Sequence, residues 1–195
     1  MKIGVLAVQG DFEAHEIMLR SLGVESQEVR SAADLDALDG IILPGGESTT
    51  QLKFLEEEGL SAPLRDFAVD GGAMFGTCAG AILMAREVLN PAQRSLGLMD
   101  ISVLRNGYGR QLQSEVRFGH CTLKPGPLEM VFIRAPIIQR VGNGVEVLAE
   151  DGGTPVLVRQ RSLLAATFHP ELTADPTIHS CFLEMARERI RTVSA

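Results

Sequence analysis

Short apolar runs alternate with amphipathic stretches through the first half of the chain, and this alternation constrains the fold more than any other feature. Ile3 to Val8 reads as a buried strand. Asp11 to Leu22 follows as a helix, with Phe12, Ile17 and Leu19 among its apolar positions and Gly23 as its stop. A second strand is expected within Val24 to Val29, then an acidic segment from Ala33 to Leu38 and a strand from Gly40 to Leu43. After a Pro-Gly-Gly turn come a helix through Gln51 to Glu58, a short helix after Pro63, a strand at Ala73–Phe75 and a helix from Gly80 to Leu89. Apolar strands separated by helices predict an α/β fold with a parallel sheet covered on both faces.

The second half changes character. Ile101–Leu104, Glu115–Phe118, Cys121–Leu123, Met130–Ile133, Val145–Ala149 and Pro155–Arg159 are short strand candidates between Gly- and Pro-containing turns, which predicts an antiparallel or mixed extension of the sheet. Leu163 to Phe168 returns to a buried strand. Pro176 to Arg191 closes the chain as a helix with Ile178, Phe182, Met185 and Ile190 on or near one face. No linker, repeat or low-complexity tract divides the 195 residues, and 45% hydrophobic content is enough for one core, so residues 1–195 are expected to form a single domain.

Charge and cysteine content narrow the function. A net charge of −7 with no basic run argues against nucleic acid or an anionic membrane as the main partner. The apolar start is cut short by Asp11 and Glu13 and suits a first strand rather than a signal peptide. Cys78, Cys121 and Cys181 are odd in number and far apart, which suggests neither a disulfide framework nor a zinc knuckle and fits a reducing cytoplasm.

The sharpest local signal is Phe75-Gly76-Thr77-Cys78-Ala79-Gly80-Ala81, between a predicted strand and a predicted helix. A nucleophile flanked by glycines at such a junction is the elbow arrangement, here with Cys in place of Ser. The turn lifts the side chain clear of the sheet, the helix start favours a thiolate, and the backbone N–H of Ala79 would point where an oxyanion forms. The plain alternative is a small buried cysteine in a Gly-rich turn. A thiol nucleophile needs a base, and His169 is the best placed of four histidines. It follows the apolar run 163–168 and opens His-Pro-Glu, whereas His15 lies in a helix, His120 in a polar turn and His179 in the last helix. Pro170 keeps His169 out of the α region, so the chain should stay extended and bring Glu171 to the same side as the imidazole. Cys78 and His169 both follow apolar runs, and sites in parallel sheets form at the carboxyl ends of strands. A strand-ending turn with an exposed ion pair is the alternative, and a Cys-His-Glu zinc site would lack a fourth ligand at motif spacing.

A third element, Leu43-Pro44-Gly45-Gly46-Glu47-Ser48-Thr49-Thr50, puts a Gly-Gly turn before an N-capping Ser or Thr. It would present backbone N–H groups to an oxyanion or a carboxylate, or serve as an ordinary strand–helix connection. The segment 106–110, Asn-Gly-Tyr-Gly-Arg, contains GxG without a third glycine and reads as a binding loop or a turn, and Gly142-Asn143-Gly144 as a turn. Arg105 and Arg134 are isolated cations able to pair with a substrate carboxylate.

Gly-Gly-Glu-Ser, Gly-Thr-Cys-Ala-Gly and Phe-His-Pro-Glu, in that order, resemble the motifs of the class I (triad) glutamine amidotransferases. The likeness narrows over the whole chain, at 5–15, 43–50, 105–111, 132–136 and 168–173, to the glutaminase subunits of pyridoxal 5′-phosphate synthases. The resemblance implies a flavodoxin-like three-layer domain that hydrolyses L-glutamine through a cysteine thioester. It implies Cys78 as nucleophile, His169 as base and Glu171 as its orienter. Gly46, Glu47 and Ser48 would bind glutamine, with Arg105, Ile133 and Arg134 lining the pocket and Gly46 and Ala79 giving oxyanion N–H groups. It further implies a barrel-shaped synthase subunit as partner and ammonia acceptor, near Gln9 and Gly10, and neither metal nor cofactor in this chain. Two departures stand out: Glu115 where an aromatic would follow Ser114, and Gly107 in place of Ala or Ser. A glutaminase serving another synthase, such as one making imidazole glycerol phosphate, a non-catalytic scaffold of the same fold and a stress-type hydrolase are the rival readings.

Overall fold

The computed structural model describes residues 1–107 and 114–193, the last two by backbone alone. Its first half runs β1 (Ile3–Leu6), α1 (Phe12–Ser21), β2 (Ser26–Val29), a 3-10 turn at Ala32–Leu35, β3 (Gly40–Leu43), α2 (Ser48–Glu57), α3 (Ser61–Val69), β4 (Ala73–Thr77) and α4 (Ala79–Met84). The second half supplies β5 (Ala85–Leu89), β6 (Met99–Leu104), β7 (Glu115–His120), β8 (Pro127–Phe132), β9 (Ile137–Val141), β10 (Glu146–Asp151), β11 (Thr154–Gln160) and β12 (Leu163–Ala166). A 3-10 turn at Pro170–Leu172 and α5 (Thr177–Val193) complete it.

Seven strands form the central sheet in the order β10-β11-β12-β4-β3-β1-β2. The five from β12 to β2 are parallel, and β11 and β10 extend the sheet antiparallel. Because successive strand side chains point to opposite faces, β4 sends Ala73 and Phe75 to one side and Met74 to the other. The first face packs on α1 and α5 through Leu19, Ile178 and Phe182, and the second on α2, α3 and α4 through Leu55, Leu64 and Leu83. Full burial of a side chain such as Phe75 stabilises the fold by about 2 kcal/mol, so the two faces hold the layers firmly. Among the described residues no helix is long and apolar enough to cross a membrane.

The strands of the second half are arranged less simply than their sequence suggests. β5, β6 and β9 make a small separate sheet, and β7 and β8 a hairpin. The helix expected from Gly80 to Leu89 ends at Met84. Residues 85–89 instead pair with β6, a partner distant in sequence that outweighs local helix preference. Cys121–Leu123 makes a lone bridge to Ala149 before the Pro125-Gly126 turn stops it, and His120 ends β7 opposite Pro127 rather than sitting in a turn. Ile137–Val141, not read as a strand, is drawn into one by the edge of β6. Pro63 lies inside the first turn of α3, where its missing N–H leaves no bond unmade. On α1 the buried face is His15, Met18 and Leu19, and Ile17 is exposed.

Candidate active site

Four adjacent strands end together. Ala166 pairs with Thr77, Leu43 with Gly76 and Val5 with Ile42, so the segments leaving β12, β4, β3 and β1 emerge side by side at the carboxyl edge. Residues 91 positions apart (169 − 78) thereby meet, as the strand ends predict. The backbone N–H of Cys78 donates to the Ala166 carbonyl at 2.9 Å, and that of His169 to Val131 on β8 at 2.8 Å.

Cys78 sits at φ 46°, ψ −99°, a backbone conformation that L residues rarely adopt, in the sharp strand-to-helix turn that an elbow requires. The strain is held by close packing. A Cβ on Gly80 would collide with the Leu43 carbonyl, so only glycine lets α4 approach the end of β3. Gly45 likewise leaves room for the His169 imidazole, which a Cβ would strike.

The triad residues come together with burial that excludes the exposed ion pair. His169 is 3% and Glu171 6% exposed, and His169 Nδ1 and Glu171 Oε1 are 2.8 Å apart. The contact arises differently from the expectation. His169 is non-helical (φ −111°, ψ 81°), as a residue before proline should be, but Pro170–Leu172 then turns as a 3-10 helix. That turn, not an extended chain, folds Glu171 back onto the ring. On the pocket side, His169 Nε2 has no hydrogen-bond partner among the described residues, and Cys78 Sγ lies 3.8 Å from the Ile133 carbonyl. Burial by itself would lower the His169 pKa. The interactions with Cys78 and Glu171 outweigh it and push it up to about 10.

In front of the sulfur lies a pocket of about 160 Å³ lined by Cys78, His169, Gly46, Glu47, Ser48, Arg105, Ile133 and Arg134, with Asp11, Ile82 and Asn106 added. Every pocket residue expected from the resemblance is present. Ala79 begins α4 beside Cys78, and Glu171 stands behind His169. The Gly-Gly loop differs in detail: Glu47, not Ser48 or Thr49, caps α2, its carboxylate accepting from the Thr49 N–H at 3.3 Å. Glu47 also pairs with Arg105 at 3.0 Å. Burial would raise the Glu47 pKa, but the Thr49 hydrogen bonds, with Arg105 and Arg134, leave it lowered. Gln93, ahead of β6 in an unassigned segment, holds Ser48 by accepting from its hydroxyl at 3.0 Å. Gln9 is half-buried, its carbonyl accepting from Gln51 at 3.4 Å, and Gly10 is exposed with its backbone against Gly45. Residues 108–113 of the loop after Arg105 lie outside the described residues, and Gly107 rests against Ile137.

Asp11, His169 and Glu171 present potential metal-ligand atoms within 4.8 Å of one another. His169 Nδ1 and Glu171 Oε1 are already bonded to each other, which suits a positioned imidazole better than a metal centre.

Sequence reasoning passed over what lies behind the triad. His15 and His179 are both fully buried, with His15 Nδ1 and His179 Nε2 2.9 Å apart. His15 also lies 3.1 Å from Thr77 Oγ1 and 3.5 Å from Glu171 Oε1. The available signal was a histidine at i, i+3, i+4 spacing with Met18 and Leu19. Burial lowers the His15 pKa well below 6.5, helped by His179 and His169, and burial lowers that of His179 to about 4. Between about 6.5 and 4 the unfolded chain therefore binds more protons than the folded one, and stability falls as pH drops through that window. Melting temperature from pH 7 to 4.5 should fall more steeply for the native chain than for His179→Gln; parallel curves would refute this.

The chain is similar to known glutamine amidotransferases. A model of the SNO glutamine amidotransferase family matches residues 5–188. A pyridoxal 5′-phosphate synthase subunit PdxT of Koribacter versatilis is 54% identical over 96% of this chain and 96% of its own length. One from Thermus thermophilus is 51% identical over 94% and 97%. A crystal structure of a glutamine amidotransferase, 48% identical, superposes with a TM-score of 0.90 over 95% of this chain and 98% of that one.

Proposed function

The chain belongs to the SNO glutamine amidotransferase family, and from that premise we propose that it is the glutaminase subunit of a pyridoxal 5′-phosphate synthase. It hydrolyses L-glutamine to L-glutamate and ammonia and passes the ammonia to a synthase subunit that builds the vitamin B6 cofactor. The observation that carries the chemistry is that Cys78 and His169 line one pocket, with Glu171 bonded to the imidazole behind it.

Glutamine enters with its α-carboxylate and ammonium toward Glu47, Ser48, Arg105 and Arg134 and its amide toward Cys78. The Cys78 thiolate attacks the amide carbon, and the carbonyl electrons move onto oxygen, where the N–H groups of Gly46 and Ala79 stabilise them. The carbon–nitrogen bond then breaks as His169 Nε2 gives its proton to the departing ammonia. Once the sulfur is acylated, the attraction from Cys78 that raised the His169 pKa is gone, while burial still lowers it. The same ring thereby becomes the base that deprotonates water for attack on the thioester, and glutamate leaves as the thiolate re-forms. Glu171 accepts from Nδ1–H throughout and keeps Nε2 aimed at the reacting atoms. The mechanism needs a free thiol, which a reducing cytoplasm maintains. A barrel-shaped synthase docking over Gln9 and Gly10 would press on the Gly45–Gly46 loop, coupling partner binding to the oxyanion donors.

Glutamate release is the test, measured with and without the pyridoxal 5′-phosphate synthase subunit. Stimulation by that subunit supports the whole reading. Release indifferent to it moves the ammonia to another acceptor, and no release from a folded, bound complex leaves a scaffold. Within the pocket, Arg105→Ala should raise KM for glutamine roughly tenfold to a hundredfold with a smaller change in kcat, since it removes a charge-assisted contact and unpairs Glu47. An unchanged KM would take Arg105 out of the substrate site.

A further inference from the structure

The reaction as derived uses His169 and Glu171 but leaves two buried histidines without work. We propose that His15 is a positioning residue of the glutaminase reaction: its Nε2–H, lying between Thr77 Oγ1 and Glu171 Oε1, ties the orienter of His169 to the strand end that carries Cys78. The proposal rests on the roles given above to Cys78, His169 and Glu171.

The geometry determines which nitrogen carries the proton. The Glu171 carboxylate, its side chain fully buried, lies 3.5 Å from His15 Nε2. A lone pair there would face negative charge in a medium of low dielectric, so Nε2 is the protonated nitrogen and donates. His15 Nδ1 is then an acceptor, and its neighbour at 2.9 Å, His179 Nε2, must donate to it. That leaves His179 Nδ1 as a bare acceptor, consistent with its having no partner among the described residues. The opposite assignment would bury an unpaired N–H at His179 and aim a lone pair at a carboxylate, two penalties at once. One direction of donation therefore runs from His179 on α5, through His15 on α1, to Thr77, with His15 Nε2 also 3.5 Å from Glu171 Oε1. That carboxylate oxygen is the one that accepts from His169 Nδ1.

The His15 Nε2–H gives Glu171 Oε1 a second polar neighbour at 3.5 Å. Its Oε2 has no partner among the described residues, so Oε1 gathers what polar contact the carboxylate has. With His169 alone, the side chain could rotate and release the imidazole. Thr77 gives the contact its purpose: it immediately precedes Cys78, so His15 fixes the distance between the two halves of the triad. Phe75 packs edge-on to both rings, at 6.0 and 5.5 Å between centroids, and seals the node from water.

The test combines spectroscopy of the native chain with kinetics of the complex. In the 15N-histidine spectra of the native protein at pH 7, His15 and His179 should both be neutral Nε2–H tautomers, and an Nδ1–H tautomer at His15 would overturn the proposal. In complex with the synthase subunit, His15→Leu should lower kcat roughly tenfold to a hundredfold while KM for glutamine stays within about twofold. His15→Gln, whose amide nitrogen reaches about as far as imidazole Nε2, should recover most of the loss. A folded His15→Leu with native kcat, or a glutamine variant no better than leucine, would refute it. The tautomer is read without turnover, and the native rate is read without the variant. Failure of the glutaminase reading and failure of this one are thus told apart even if the leucine variant does not fold.

Discussion

Cys78→Ala should reduce partner-stimulated glutamate release by about 10⁴-fold or more while the melting temperature moves by only a few degrees. Removing a nucleophile that works as a unit with its base has cost about 10⁶ in other hydrolases, with the residue of activity coming from binding and oxyanion donors. Those donors would survive here, because Gly46 and Ala79 belong to backbone that the sulfur does not hold. The fold should survive as well. The elbow conformation at φ 46° is imposed by the strand–helix junction, and alanine meets the same strain as cysteine. Release above about one per cent of native in a clean preparation would rule out the thioester route.

Gly80→Val should destabilise the chain by about 3 kcal/mol or more, an overpacking penalty at the upper end because the obstacle is backbone. The atom in the way is the Leu43 carbonyl, in a strand paired with β4 through Leu43 and Gly76. Neither element can retreat without shifting Cys78 or the Gly45–Gly46 loop. At this chain length the melting temperature should drop by about 6–12 °C. Activity should fall beyond what the lost folded fraction explains, since the displaced helix start carries Ala79. A melting temperature within about 2 °C of native would mean that α4 and β3 are not in the close contact described.

How much of this was legible in advance depended on the range of the interaction. The parallel strands β1, β3, β4 and β12 were legible because each is a short apolar run buried on both faces; β2, Ser-Gln-Glu-Val, is not one. Cys78 and His169 were legible because each stands just past such a run, in local chemistry that suits an elbow and a pre-proline residue. The helix predicted to Leu89 failed at Met84 because Ala85–Leu89 carries no local stop signal, and its strand partner β6 lies ten or more residues away. Ile137–Val141 was missed for the same reason. His15 looked like any helical histidine, since nothing near it in sequence says that His179 and Thr77 will surround it.

By itself, then, the sequence determined the α/β class and brought forward Cys78, His169, Glu171 and the loop before α2 as candidates. These follow from periodicity, from turn chemistry and from residues whose roles are set by their immediate neighbours. Only the tertiary structure decided that the Glu171 contact comes from a 3-10 turn, that Glu47 pairs with Arg105, and that two buried histidines lie behind Glu171. The Glu47–Arg105 pair and the histidine contacts join residues far apart in the chain, and no local pattern of residues encodes which distant groups will meet.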